Sequence, residues 1–448
     1  MWNGIRYSRA LSKYGRSLCR VWKHDFMSAS FKCEGKWDNR LKSALLQKVN
    51  LDNMFYEIDN KHNLTNAISA VDVDIFVNAV NDGSHIDEME DIVHRLRMSS
   101  EATNIFPSTH HAFIRAFLTH GEPNELMRVL NDRLNYGIFP DSFCYILLLD
   151  YFLDKGDYKN ATKVATLQML QEEFSNDLLK YMSVYSCYKY LSNPSEWEDK
   201  AEESLEKDDG EEIKVRVKYI RNPYFDNHFD LQDPNSLIGK TLLMIVNNID
   251  SHMKNDLILL GNSLLKEWNT ATEIVNAAIK NKQPVSYTTV DLVNKIISNE
   301  TDENVTKEES FQQFKNCLEA LKNENLVDKN ILEFLEASIK QEIPVGDAIA
   351  QEQMKVYDEW ENNRETSLRE EIEKLEKVNK LEIIKQKKQE LLEREQEIYF
   401  FDREDEIDIA IENKKVRYPK KWTGKKKKKK DVTQEYVPPE IKKQRSSS

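Results

Sequence analysis

Gly121 and Gly156 stand thirty-five residues apart, and the apolar residues around them keep the same offset: Ile114 with Leu149, Phe117 with Phe152, Leu118 with Leu153, Val129 with Val164. Each glycine closes one apolar helix pattern and precedes another. A fixed period of this length belongs to stacked helix pairs, because a single pair cannot bury its apolar face alone and needs neighbours. Composition agrees: 31% of the 448 residues are charged and 40% hydrophobic, with only 12 Gly and 11 Pro, as expected of a helix-rich chain with almost no sheet.

The array reads as residues 71–193, after a helical cap over 37–70. Its first unit pairs Ile75–Val80 with Ile86–Leu96 across an Asn81–Ser84 turn; the second spans 107–141 and the third 142–176, with Leu178–Leu191 as terminal cover. Residues 194–236 read as an acidic linker followed by an alternating basic and aromatic segment, and 237–345 as a second helical unit broken near Asn281–Pro284. Residues 346–412 form one long charged helix with Glu370–Lys374, Glu373–Lys377 and Glu376–Lys380 pairs at i,i+4. Leu368, Ile372 and Leu375 begin a heptad seam that Asn379, Glu382 and Gln386 interrupt, so a single helix leaning on a partner is expected. The tail 413–448 reads as disordered and Lys-rich.

The net charge of −13 hides an asymmetry. Residues 1–24 hold six Lys/Arg and no acid, and residues 413–448 hold fourteen Lys/Arg against three acids, which leaves about −30 on the middle of the chain. Such a body repels a phosphate backbone, so contact with nucleic acid has to be local. Arg6, Arg9, Lys13, Arg16, Arg20 and Lys23 fall on one helical stripe opposite Tyr7, Leu11, Tyr14, Leu18 and Trp22. This basic amphipathic pattern reads as a mitochondrial presequence, expected over residues 1–36; a retained membrane-surface or RNA-binding helix is the competing interpretation. No run of eighteen apolar residues suggests an integral membrane segment.

The best nucleic-acid candidate lies in the tail. Lys414, Lys415, Arg417, Lys420, Lys421, Lys425, Lys426, Lys427, Lys428, Lys429 and Lys430 place eleven cations in seventeen residues, with Tyr418 and Trp422 interleaved. Such a run displaces condensed counterions, and Trp422 can stack on unpaired bases. Chemistry is absent elsewhere. Gly239-Lys240-Thr241 resembles the end of a phosphate loop, but the position needing a glycine is Pro234, which has no N–H to offer a phosphate. His110, His111 and His120 lack a ligand partner on their helix, and the five cysteines form no C-x-x-C pair, so no metal, cofactor, small-molecule substrate or catalytic site is expected.

Laid out in full, Pro107–Asp141 resembles a pentatricopeptide repeat. Thr109 and His110 open its first helix, Phe113 and Ile114 are the core pair, Gly121 ends it, and Gly137-Ile138-Phe139-Pro140-Asp141 closes the unit. The related tetratricopeptide motif needs a small residue where Ile114 and Leu149 stand. The resemblance implies an organellar RNA binder in which His111 with Asp141, and Ile146 with Asn176, occupy base-reading positions; Ile146 cannot hydrogen-bond a base. Asn135–Asp141, Lys214–Thr241 and the charged helix make most of residues 37–412 similar to a family of pentatricopeptide proteins of the mitochondrial small ribosomal subunit. That resemblance implies a non-catalytic scaffold in the matrix contacting small-subunit rRNA and neighbouring ribosomal proteins. The alternative is a free pentatricopeptide factor for mitochondrial RNA processing or translation.

Overall fold

The computed structural model describes residues 26–28, 30–197, 227–247, 249, 253–283, 285–299, 309–323, 327–328 and 330–414. The chain forms two units, Met1–Glu370 and Glu371–Ser448. Helices α1 (Glu34–Asn39), α2 (Leu51–Thr65), α3 (Ala70–Ala79), α4 (Ile86–Met98), α5 (Pro107–His120), α6 (Pro123–Asn131), α7 (Ser142–Lys155), α8 (Tyr158–Leu170) and α9 (Asp177–Ser192) come first. They are followed by α10 (Pro234–Val246), α11 (Lys254–Leu264), α12 (Trp268–Asn281), α13 (Tyr287–Asn299), α14 (Glu309–Asn323), α15 (Ile331–Asp402) and α16 (Glu404–Asn413). Among the described residues the only strands are β1 (Val285–Ser286) and β2 (Val327–Asp328), a two-residue parallel pair matching Val285 to Val327. The all-α, helical-repeat class expected from the sequence is what the chain adopts.

Local chemistry sets the helix ends. Asp141 Oδ1 accepts Cys144 N–H at 2.7 Å to start α7, Asp157 Oδ1 accepts Asn160 N–H at 3.1 Å to start α8, and Asn176 Oδ1 accepts Leu178 N–H at 2.9 Å to start α9. Pro107 and Pro123 occupy the first positions of α5 and α6, where a missing N–H costs nothing. The two repeat glycines work differently. Gly156 has φ +71 and ends α7 with its N–H on Leu153 O and the Asp157 N–H on Phe152 O. Gly121 has φ −93 and ψ −175, ordinary extended backbone; its lack of a side chain is required by space, since a Cβ there would lie 2.7 Å from Phe117 Cδ1. Gly137, at φ +64, and the buried Pro140 shape the connection into α7.

Phe113, Phe117, Phe152 and Leu149 are wholly buried between the pairs. At roughly 1.5–3 kcal/mol for each large apolar side chain removed from water, this packing is the main force holding the array. Below it, Leu46 packs on Val71 and Ile75. In the second helical set α10 and α11 cross where two glycines meet: a Cβ on Gly239 would approach Gly261 O to 2.9 Å, and one on Gly261 would approach Gly239 O to 3.0 Å. Gly239-Lys240-Thr241 is therefore mid-helix, its glycine serving close packing and its backbone N–H groups facing along α10 rather than into a loop.

Within residues 26–36, expected to belong to the presequence, Phe26, Met27, Phe31 and Cys33 are buried. Residues 1–25 lie outside the described residues. The long helix was expected over 346–412; α15 instead begins at Ile331, carries Pro344 within it, and stops at Asp402 before α16. Proline removes one backbone hydrogen bond, but Leu335, Ile339 and Ala350 are buried on either side of it, and that packing carries the helix through.

Candidate nucleic-acid interface

Lys414 is exposed immediately after α16. Lys415, Arg417, Lys420, Lys421, Trp422 and Lys425–Lys430 lie outside the described residues. The geometry of the repeats' reading positions, by contrast, is fully defined.

His111 projects from α5 and is 1% exposed. Its ring is enclosed by Trp37 at 5.1 Å, Tyr357 at 5.3 Å, Trp360 at 5.2 Å and Phe143 at 5.6 Å between centroids. Nε2 accepts the Arg115 Nε–H at 2.9 Å and the Tyr357 O–H at 2.9 Å, while an Arg115 Nη2–H reaches the Tyr357 oxygen at 3.1 Å. With both donors on Nε2, the neutral ring carries its proton on Nδ1, which faces Cys144 Sγ at 3.1 Å. Burial, together with the Arg115 and Arg40 charges, holds the His111 pKa well below its ordinary value, and burial pushes the Cys144 thiol well up. Ile146, the second reading position on the first-helix face, is completely buried. Asp141 and Asn176 are both spent as N-caps.

His111, Asp141 and Cys144 bring their ligand-type atoms within 4.8 Å of one another, a trio that sequence reasoning missed because it looked along one helix. The signal was available: residues 111 and 144 are thirty-three apart, close to one repeat period on the same face. The Arg115 and Arg40 charges, which lower the His111 pKa, also act against a cation there.

A second buried network ties α15 to the repeats. Asp74 on α3 is entirely buried, and its Oδ1 accepts from Ser108 Oγ at 2.5 Å, Thr109 Oγ1 at 2.7 Å and Asn78 Nδ2 at 2.9 Å. Its Oδ2 accepts from Arg364 Nε at 2.6 Å, and Arg364 is 5% exposed. Arg40 stacks 4.0 Å above Trp37 and donates to the carbonyls of Trp37, Asn78 and Val80 at 3.1, 3.0 and 3.1 Å. Burial lowers its pKa to about 10. A cavity of about 60 Å³ remains between Arg40, Arg364, Trp37 and Trp360.

The strap before α1 covers the same face further along. Met27 N–H donates to Asp150 Oδ1 at 3.2 Å, Phe31 stacks on Phe143 at 4.8 Å, and Phe26 meets Tyr185 edge-on at 5.3 Å. The strap is itself clamped by α15: Ser28 Oγ donates to Asp347 Oδ1 at 3.1 Å, and a Cβ on Gly346 would come 2.5 Å from Met27 Cε. Tyr185 of α9 donates to Glu336 at 2.9 Å. The first helices of successive pairs, α5, α7 and α9, thus face their own chain and not solvent. Among the described residues no helix is long and apolar enough to cross a membrane.

The family model described as mitochondrial 28S ribosomal protein S27 matches residues 2–390, a span that contains the repeats, the strap, Asp74, His111 and Arg364. A match across most of the chain settles the family. The chain belongs to the mitochondrial 28S ribosomal protein S27 family, and is accordingly a ribosome-associated protein of the mitochondrion and a component of its small ribosomal subunit.

Proposed function

We propose that this protein is a non-catalytic scaffold of the mitochondrial small ribosomal subunit, built on degenerate pentatricopeptide pairs whose groove is closed. Its contacts with small-subunit rRNA are made by the basic segment Lys414–Lys430, and its helical faces pack on neighbouring ribosomal proteins. The observation carrying this reading is the sealed inner face: His111 and Ile146 are 1% and 0% exposed, with Trp37, Tyr357 and Trp360 standing where a base would stack on His111. A one-base-per-repeat code requires those side chains to be free. The acidic middle of the chain directs RNA contact to the basic end. Residues 1–25 serve as the import presequence, with cleavage upstream of Phe26, because removing Phe26–Phe31 would strip buried side chains from the core.

Crosslinking in intact mitochondria, combined with sedimentation, tests the proposal. The expected result is co-migration with the small subunit and an rRNA footprint that disappears when residues 414–430 are deleted. A dominant footprint on one messenger or precursor RNA, mapping to the repeats, would overturn it in favour of a free RNA-processing or translation factor.

A further inference from the structure

The second unit contains a surface whose charge and polarity change abruptly along its length. Between Glu371 and Glu390 five acids and six lysines nearly cancel, and Glu373–Lys377 and Glu376–Lys380 pair at 3.7 and 3.0 Å. Between Leu391 and Asn413 nine acids meet two arginines, a net −7. Among the described residues none of those nine carboxylates forms an ion pair, and Glu393–Glu397, Glu404–Asp408 and Asp408–Glu412 oppose like charges at i,i+4. Each such pair disfavours the isolated helix. The same stretch exposes large apolar side chains: Leu391, Ile398 and Phe401 recur at seven and three on one side of α15 and are 64%, 61% and 69% exposed, with Leu392 and Tyr399 alongside. Ile409 and Ile411 continue the exposure on α16. The stretch lies outside the matched residues 2–390.

We propose that Leu391–Asn413 is the docking surface for a Lys/Arg-rich, amphipathic segment of a neighbouring ribosomal protein. The sign of the charge selects a basic occupant, and the chain's own basic run 414–430 is assigned above to rRNA. RNA and anionic lipid are repelled by nine carboxylates, and a second copy of the chain would bring the same −7 to the contact. A basic partner with an apolar face relieves the like-charge pairs and covers Ile398 and Phe401 in one contact. This inference rests on the ribosomal reading above and adds the partner's chemistry to it.

The test replaces Phe401 or, separately, Ile409 with photoreactive benzoylphenylalanine in the full-length protein, followed by irradiation of assembled small subunits and mass spectrometry of the adducts. Co-sedimentation of the unirradiated protein reports the ribosomal reading on its own, so failure there is distinguishable from failure of the docking surface. The expected adduct is a Lys/Arg-rich segment of another ribosomal protein. Converting Glu404, Asp405, Glu406 and Asp408 to lysine should lower its yield by about tenfold or more, and the neutral Gln/Asn set should lower it by less. Adducts to rRNA, to residues 415–448 of the same chain or to a second copy would overturn the proposal, as would no adduct at either position in a subunit that contains the protein. A yield indifferent to charge reversal would also overturn it.

Discussion

Arg364→Met removes the cation from the most deeply buried ion pair among the described residues while keeping much of the apolar stem of the side chain. Asp74 is fully buried and loses one of its four side-chain donors; Ser108, Thr109 and Asn78 still serve Oδ1, but nothing serves Oδ2. Breaking a buried pair in this way costs about 3–5 kcal/mol, and the three surviving hydrogen bonds place the expected loss near the lower figure, about 3 kcal/mol. Hydrogen exchange read by mass spectrometry is the suitable assay, because a chain with two units need not unfold in one step. Peptides from α3 and α5 should exchange on the order of a hundredfold faster, since 1.4 kcal/mol is a factor of ten, while peptides from α11 and α12 should not change.

The companion variant separates charge from packing. Asp74→Asn in the Arg364→Met background removes the uncompensated carboxylate while keeping a carbonyl oxygen for Ser108 and Thr109. It should restore most of the protection, leaving about 1 kcal/mol for an amide N–H without a partner. If the double variant exchanges as fast as Arg364→Met, or if Arg364→Met accelerates exchange by less than about tenfold, the buried pair is not what fastens α15 to the repeats, and the electrostatic reasoning fails.

Other consequences are open to measurement. Gly121→Val should lower the melting temperature through overpacking worth about 1–3 kcal/mol, because Phe117 is pinned 4.8 Å from Phe113 and cannot swing aside; an unchanged melting temperature would show that the turn can yield. Gly156→Ala meets no atom within 4 Å and should lose only about 1 kcal/mol, from its φ of +71. Burial raises the Asp256 pKa from 3.8 to about 6, so the folded state holds its proton more tightly than the unfolded chain does. The stability this contributes is complete below about pH 4 and is lost as pH rises through about 6, roughly 3 kcal/mol in all. Asp256→Asn should flatten that stretch of the urea-midpoint profile, with Asn Oδ1 still accepting the Ser286 N–H; equal slopes in the two proteins would contradict it. A peptide of residues 414–430 should bind single-stranded RNA of any sequence with an affinity falling steeply with salt, at a slope approaching −0.7 per neutralised phosphate. Salt-independent binding would contradict the counterion reading.

What could be read from the residues was whatever depends on short separations. The thirty-five-residue period and the apolar stripes located α3 to α9 because helix chemistry repeats within a few residues. Gly121 and Gly156 looked alike for the same reason, yet only Gly156 takes positive φ; the need at Gly121 is set by a ring four residues back that rests in the core. α15 starts upstream of the expected 346 because burial of Leu335 and Ile339 carries the helix across Pro344. Arg364 and Asp74 are 290 residues apart, a pairing no periodicity can announce. One clue was legible: Tyr357, Trp360, Arg364 and Leu368 recur at three and four on a helix otherwise covered in charge, which marks a face turned toward a core.

The filled groove also bears on why so short an array holds together. Stacked pairs draw stability from neighbours on both sides, and about three pairs is the least such an architecture sustains. Here the α3–α4, α5–α6 and α7–α8 pairs are at that minimum, and an open inner face would leave Phe143, Ile146 and the rings around His111 against water. The strap at Phe26–Trp37 and the first part of α15 cover that face, so the burial that a longer array obtains from more repeats is obtained from segments at either side of it in the chain. A fold stabilised in this way cannot admit an RNA strand along the inner face without expelling Trp37, Tyr357 and Trp360 and exposing the Asp74–Arg364 pair. Base selection and stability compete for the same surface, and the buried Ile146 at a reading position records which of them this chain has kept.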